Sequence, residues 1–522
     1  MKIEKKRYDS FVCGLCWAII LCYVCAFCYI NLAVTPQFYC TDMYEDVILS
    51  VEMWKGKTIF PSNWVFGNQV YVVATPVLAA FVYGLTGNAL LSMGIASSIM
   101  AILVLLSFEW MLRTVFSRLR DRLVAVIVLI TMIAFFGDAV EFVNGWQLLF
   151  TLCTFYACYA ITTFLAFGCY LRKESPRSMV ALTALLCFAT GIQSLRQTAI
   201  TILPMIAMEL LCIFWRAYKK EKLVTEAFWL TLVFTVANLL GVVAGKSIPV
   251  AQQHIYGTVN FASIREYLTR FYENLKLISV LVAIKRFKYS TWKMPILLVG
   301  VVFGAVCVWR YRKEKEAALL YLMILSLLAI LGIGTITKME MREIYYFMIY
   351  PLAACMITLL VSKSSPKMES ALLGAVIVAF PVCWHIDVMP SFEQIHDREQ
   401  DISYQVYEDL RDSGIATMYS SWNRCEKVAI AGNLEINAGF WDREDEPFNP
   451  IPYLCKTDTF NATPEKVAYL FYSPEEVDLA IEKAQQAGVT MTLLYEYPEH
   501  GMYVYTAPIN LMEYYLTFPS NE

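Results

Sequence analysis

Charge is what this sequence has least of. Asp, Glu, Lys and Arg make up 17% of its 522 residues, against about 25% in an ordinary soluble domain. Hydrophobic residues make up 58%, and the mean hydropathy is +0.52. Such a composition excludes a soluble globular enzyme and points to a chain that crosses a membrane many times. Histidine is scarcer still: the four are His254, His385, His396 and His500, scattered along the chain, and only His254 sits where it could ligate a metal. There is no glycine loop for phosphates, no zinc-protease motif and no nucleophile elbow, which removes the chemistries those motifs carry. No internal repeat and no low-complexity tract is visible. The formal net charge of -3 says little, because the distribution of Lys and Arg among loops matters more in a membrane protein than their sum. No nucleic-acid partner is expected.

Long hydrophobic runs are what the sequence has in their place. The first, residues 11–34, follows Lys2, Lys5, Lys6 and Arg7; it is too long for a signal-peptide core and reads as a retained anchor. Cys13, Cys16, Cys22, Cys25 and Cys28 fall inside it and read as small apolar packing residues. Residues 70–85 are interrupted by Pro76 and barely reach the spanning minimum of about 17 residues. If they crossed, Arg113, Arg118, Arg120 and Arg122 would fall opposite the N-terminal basic cluster, against the positive-inside rule. The segment is therefore expected to lie at the outer interface, with residues 89–112 as the second span. Further spans are expected at 123–137, 148–171, 179–194, 197–215, 223–244, 295–309, 317–336, 343–361 and 369–386. Every alternate loop is then basic, giving about eleven spans with the N-terminus cytoplasmic and the C-terminal part extracytoplasmic, in the plasma membrane.

Residues 1–386 thus read as a membrane domain with outer loops at 35–88 and 245–294. Residues 387–522 change to the composition of a water-soluble unit. There residues 392–411 read as an amphipathic helix. Residues 467–472, 489–497 and 502–505 read as strands, and Ser473-Pro474 starts a helix that Gly488 ends. A small α/β domain outside the membrane is expected, with Cys425 and Cys455 free to pair if that side is oxidising.

Ionisable groups crowd the outer rim. Asp42, Glu45 and Asp46 lie just past the first span, and Asp42 and Asp46 share a helix face. Asp138 and Glu141 lie in the next outer loop. Carboxylates whose pKa values are pushed apart can divide acid and base roles, and hard oxygen ligands suit a divalent cation, Mg or Mn. Arg196, between two apolar helices, and Arg342, followed by Tyr345 and Tyr346, could grip a phosphate bidentately. The long loop is basic, and Ile264, Tyr267, Leu268, Phe271, Leu275 and Ile278 recur at helical spacing within it. That pattern predicts an amphipathic helix on the membrane surface, anchoring to headgroups or gathering a phosphate-bearing substrate.

At these residues the chain resembles the GT-C class of integral membrane glycosyltransferases, which includes protein mannosyltransferases and aminoarabinose transferases. Asp42 followed by Glu52-Met53 and Gly56 is similar to the class's acidic first loop. Ala74-Thr75-Pro76-Val77-Leu78 through Gly84-Leu85-Thr86-Gly87 is similar to its interfacial helix. Two positions depart from the pattern: Met43 stands where the class has a Glu, and Thr75 where many members have a Lys that contacts the donor phosphate.

The resemblance implies transfer of a sugar from a polyprenyl-phosphate donor to a glycan, lipid or protein acceptor on the outer face. Asp42, Asp46 and Glu45 would be the catalytic carboxylates, with Asp42 as general base. Asp138 and Glu141 would support them or hold the cation, and Arg196 and Arg342 would bind phosphate. Two alternatives stay open: a transporter or flippase of a lipid-linked or anionic solute, and a non-catalytic scaffold in envelope assembly. Rim charges favour chemistry over transport, which would place ionisable groups deep in the spans; Glu109, Glu209 and Glu226 near the inner ends are the exceptions.

Overall fold

The computed structural model describes residues 2–33, 36–135, 149–172, 174–252, 260–282, 293–314, 316–396 and 401–517. Eight helical stretches among them are long and apolar enough to cross a bilayer: Tyr8–Ala33, Ala89–Leu112, Thr198–Lys219, Glu226–Lys246, Met294–Tyr311, Glu316–Ile336, Glu343–Lys363 and Pro366–Glu393. The chain is a multi-pass membrane protein. The helices are α1 (Lys2–Ala33), α2 (Thr41–Gly56), α3 (Thr75–Thr86), α4 (Ala89–Leu112), α5 (Leu119–Phe135), α6 (Ala157–Leu171), α7 (Arg177–Gln193), α8 (Leu203–Lys219) and α9 (Glu226–Lys246). They continue with α10 (Tyr267–Leu281), α11 (Lys293–Tyr311), α12 (Glu316–Ile336), α13 (Ile349–Lys363), α14 (Pro366–Cys383) and α15 (Met389–His396). Two of the expected spans, α6 and α7, are helical but only 15 and 17 residues long, and a third, α5, is helical to the end of the described segment at Phe135.

The expected helix over 148–171 starts only at Ala157. Before it Leu152, Cys153 and Thr154 are left-handed, with φ of 42°, 54° and 40°, a conformation costing of order 1–3 kcal/mol per non-glycine residue. Two side chains and a backbone carbonyl from three other elements hold it. Asn31 Oδ1 accepts from the Leu152 amide at 2.7 Å, Thr75 and Thr154 share a hydrogen bond of 2.6 Å, and Cys153 Sγ lies 3.7 Å from the Met43 carbonyl.

α3 has 12 residues, too few to cross. It packs on α2 through Gly84, where a Cβ would lie 2.3 Å from the Trp54 ring, so the close approach requires glycine. The helix ends agree that α3 stays on one side. Arg120, at the start of α5, binds Asp9 near the start of α1 at 2.8 Å and also contacts Glu369 at the start of α14. The end of α4, at Trp110, meets Arg172 at the end of α6, with the guanidinium 3.8 Å above the ring. The loops read as basic therefore gather at one end of the bundle.

The opposite end carries α2, α3 and the C-terminal domain. That domain has α16 (Ile402–Asp412), β3 (Thr417–Ser421), α17 (Glu426–Ala431), β4 (Asn437–Trp441), β5 (Cys455–Lys456), β6 (Val467–Phe471), α18 (Pro474–Gln486), β7 (Thr492–Tyr497), β8 (Met502–Thr506) and α19 (Leu511–Thr517). Its five-stranded sheet runs β4-β3-β6-β8-β7, parallel across β4, β3 and β6 and antiparallel at β8 and β7. Ser473 caps α18 by accepting from the Glu476 amide at 3.1 Å, as its position before Pro474 predicts. Cys425 and Cys455 are both buried free thiols, not a disulfide: Cys425 packs behind β3 and points at the Gly439 carbonyl, 3.6 Å away, while Cys455 lies in a second sheet.

That second, three-stranded sheet joins parts of the chain far apart in sequence. β1 (Trp64–Phe66), from the first outer loop, pairs parallel with β2 (Ala251–Gln252) of the long loop and antiparallel with β5. Gln252 adds a side-chain bond to the Gly67 carbonyl at 2.8 Å, and the Thr457 amide donates to the Asn63 carbonyl at 2.9 Å. The first loop is thereby held from both sides.

Candidate active site

α2 begins directly beneath the C-terminal domain. The Thr41 amide donates to Asn423 Oδ1 at 3.0 Å and Thr41 Oγ1 accepts from the Asn423 amide at 2.9 Å. One turn on, the Tyr44 hydroxyl accepts from the Ala438 amide at 2.8 Å. Asp42 falls in the first helical turn, where the helix dipole favours negative charge. The three acids then part company. Asp42 is half-buried. Glu45 is buried and faces Glu426 and Lys456 of the C-terminal domain; Asp46 is buried and faces the membrane domain, where the Tyr71 hydroxyl donates to it. Burial, with the neighbouring Asp42 charge, pushes both Glu45 and Asp46 well above the usual carboxylate range.

Arg196 and Arg342 do come together. The Arg196 guanidinium lies 5.4 Å from the Tyr156 ring centre and 5.2 Å from that of Tyr345, and Arg342 adds its positive potential at the Tyr156 hydroxyl. Arg196 Nη1 donates to Gln69 Oε1 at 3.0 Å, and the Tyr159 hydroxyl donates to the same oxygen at 3.1 Å. Gln193 supports this arrangement: its Nε2 donates to the Tyr159 hydroxyl at 3.1 Å, and its Oε1 accepts from the amides of Val72 and Val73 at 3.2 and 3.4 Å. Next to this polar cluster opens an apolar groove of about 580 Å³, lined by Val73, Leu78, Phe81, Leu103, Trp110 and Leu165 among others.

Other sequence expectations fare differently. Asp138, Glu141 and His254 lie outside the described residues. Thr75 is turned inward onto Thr154 and is 1% exposed, so it cannot stand in for a phosphate-binding lysine. Glu52 takes no part in the acid cluster; it accepts from Asn63 Nδ2 at 2.7 Å and braces the first loop. The helix expected in the long loop is α10, with Ile264 and Leu268 exposed at its start. Its Arg270 donates to the carbonyls of Gly334 and Met339 at 3.2 and 2.8 Å, fastening the end of α12 rather than reaching for a substrate. Gln69, Tyr71, Gln193 and Glu426 were not singled out in the sequence. Uncharged amides and phenols carry no signal there, and Glu426 sits in a stretch that reads only as ordinary soluble domain.

No family model matches the chain, and no curated protein sequence does. Among solved structures it is similar to the crystal structure of ArnT from Cupriavidus metallidurans in the apo state, with a TM-score of 0.59 and 12% identity over 96% of this chain and 98% of that one. It is also similar to the same protein bound to undecaprenyl phosphate, with a TM-score of 0.54 and 13% identity over 94% and 98%. The chain has a GT-C-type fold. At such identity the likeness speaks for the fold, including a membrane domain with a C-terminal sheet domain.

Within this GT-C fold, the described residues contain no group of three or more His, Cys, Asp or Glu side chains set to hold a metal ion. The expected divalent cation has no ligand set among them. The inner acids are accounted for by partners. Glu109 binds Arg113 and Arg122 at 2.7 and 2.8 Å, Glu209 binds Arg216 and accepts from Tyr170 at 2.9 Å, and Glu226 accepts from the Ser175 amide at 3.4 Å.

The contact between α2 and the C-terminal domain of the GT-C fold carries a pH dependence. Glu426 is fully buried against Thr41, Glu45 and Cys425, with Arg424 and Lys427 its nearest cations, and burial pushes it from 4.5 up to about 7. Between those values the folded protein holds a proton that the unfolded chain has released. Stability therefore falls as pH rises through that window, by about 1.4 kcal/mol per pH unit for each such carboxyl. Thermal unfolding of the detergent-solubilised protein should show a transition temperature that drops between pH 5 and about 7 and then levels for this group. Glu426→Gln should flatten that slope and stabilise the protein at the alkaline end; an unchanged slope would refute the assignment.

Proposed function

We propose that this protein transfers a sugar from a polyprenyl-phosphate carrier to an acceptor hydroxyl on the outer face of the cell membrane, with the N-terminus cytoplasmic and the C-terminal domain extracytoplasmic. The observation that carries this reading is a juxtaposition: an apolar groove is lined by Val73 and Cys158, both bonded to the Gln193 that braces the Arg196 cluster, and that cluster connects through Gln69 and Tyr71 to Asp46 of α2. The ArnT structure that holds undecaprenyl phosphate supports it at the level of fold. A groove of about 580 Å³ suits the first isoprene units of a long apolar chain, while the Arg196 guanidinium, beyond Gln193, suits the phosphate.

Asp42, the half-buried member of the acid cluster, takes the proton of the acceptor hydroxyl as its oxygen bonds to the anomeric carbon. The bond from that carbon to the phosphate oxygen breaks, and the polyprenyl phosphate leaves with the extra negative charge, which Arg196 and Arg342 stabilise. Burial raises the proton affinity of Asp46 and Glu45, which lowers the repulsion they exert on a charge at Asp42.

The test is transfer from radiolabelled polyprenyl-phosphate sugars in right-side-out and inverted membrane vesicles, comparing wild type with Arg196→Ala at matched expression. Label in an acceptor with release of polyprenyl phosphate, reduced about a hundredfold in the variant, is expected. Label that crosses the bilayer still attached to its lipid would instead show a flippase.

A further inference from the structure

Gln69 is neither an acid nor a cation, yet it touches both halves of the site. Its Oε1 accepts from Arg196 Nη1 at 3.0 Å and from the Tyr159 hydroxyl at 3.1 Å. That leaves its amide nitrogen facing the other way, where it donates to the Tyr71 hydroxyl, and Tyr71 in turn donates to Asp46. Every bond in the series points the same way, from guanidinium toward carboxylate. Gln193, donating to Tyr159, orients the far end.

We propose that Gln69 is a positioning residue: one carboxamide sets the Arg196 guanidinium on its oxygen side and, through Tyr71, the Asp46 carboxyl on its nitrogen side. Only a primary amide of this length does both. A carboxylate at 69 would pair with Arg196 and compete with the lipid phosphate, and would have no donor for Tyr71. A leucine would release both ends. An asparagine is one methylene short and must abandon one side. Because the amide is uncharged, it holds the cation without neutralising it, leaving its charge for an incoming anion.

The inference rests on the transferase reading for its consequence but not for its geometry, so two measurements separate them. The first is infrared titration of the Asp46 carboxyl in detergent-solubilised protein, with the band assigned by its loss in Asp46→Asn. A donor chain stabilises the ionised form, so Gln69→Leu should move the Asp46 midpoint up by about one pH unit, and Gln69→Glu by more. Tyr71→Phe should reproduce the Leu shift. The second measurement is transfer kinetics. Gln69→Leu and Gln69→Glu should raise KM for the polyprenyl-phosphate donor about tenfold, the Glu variant more steeply, and kcat should fall with a displaced pH profile.

An Asp46 midpoint unchanged in a Gln69→Leu protein that unfolds at the wild-type temperature would overturn the inference, whatever the kinetics show. A shifted midpoint with no transfer from any polyprenyl-phosphate donor by wild type would leave Gln69 its positioning role and sink the transferase reading.

Discussion

Asp42→Asn is expected to lower sugar transfer by about a hundred- to ten-thousandfold, the usual range for a general base, while leaving thermal stability near that of wild type. Asn keeps the volume and the place in the first turn of α2 but cannot take a proton. Of the three acids it alone is half-buried rather than buried, and so alone is open to an acceptor. Glu45→Gln is the informative companion. Glu45 faces Glu426 and Lys456 in the domain contact, and burial raises its proton affinity, so an amide there should cost less than about tenfold in rate. Steady-state transfer with both variants decides between them. Equal losses would mean that the cluster acts as one unit and that Asp42 has no separate role.

Arg120→Ala is expected to destabilise the protein by about 3–5 kcal/mol, the cost of removing one partner from a buried charge cluster. The guanidinium is 3% exposed. It binds Asp9 at 2.8 Å and Asp121 at 3.1 Å and also contacts Glu369, so its loss leaves three carboxylates without their common cation. α1, α5 and α14 would lose their shared tie at that end of the bundle. Arg113→Ala is the control: Arg113 pairs with Glu109 at 2.7 Å but is 58% exposed, and such pairs contribute about 0–1 kcal/mol. Thermal unfolding of both variants in the same detergent tests this. A small and equal effect would show that Arg120 is solvated and that the inner ends are held by apolar packing alone.

The acidic helix α2 was legible because charge beside a membrane span is rare enough to be noticed. Arg196 and Arg342 stood out for the same reason, an isolated cation between apolar helices. The relay that joins Arg196 and Tyr159 through Gln69 and Tyr71 to Asp46 was not legible. Its members come from one loop and from α2, α6 and the turn after α7, and a neutral side chain gains meaning only from what it touches. Glu426 is the sharper instance, since its carboxyl is unusual only because the C-terminal domain sits on α2 and removes the water.

What the sequence determined by itself is the membrane class, the gathering of the basic loops at one end of the bundle, the shortness of α3 and the C-terminal α/β domain. These follow from hydropathy, run length and the distribution of Lys and Arg, which act residue by residue along the chain and do not depend on which helices meet. Tertiary structure alone decided that Asp42, Glu45 and Asp46 face three different surroundings, that Thr75 is turned away, and that β1, β2 and β5 tie both outer loops to the tail. The physical reason is that proton affinity and hydrogen-bond direction depend on burial and on partners up to hundreds of residues away, such as Thr41 with Asn423, and no local pattern in the sequence encodes either.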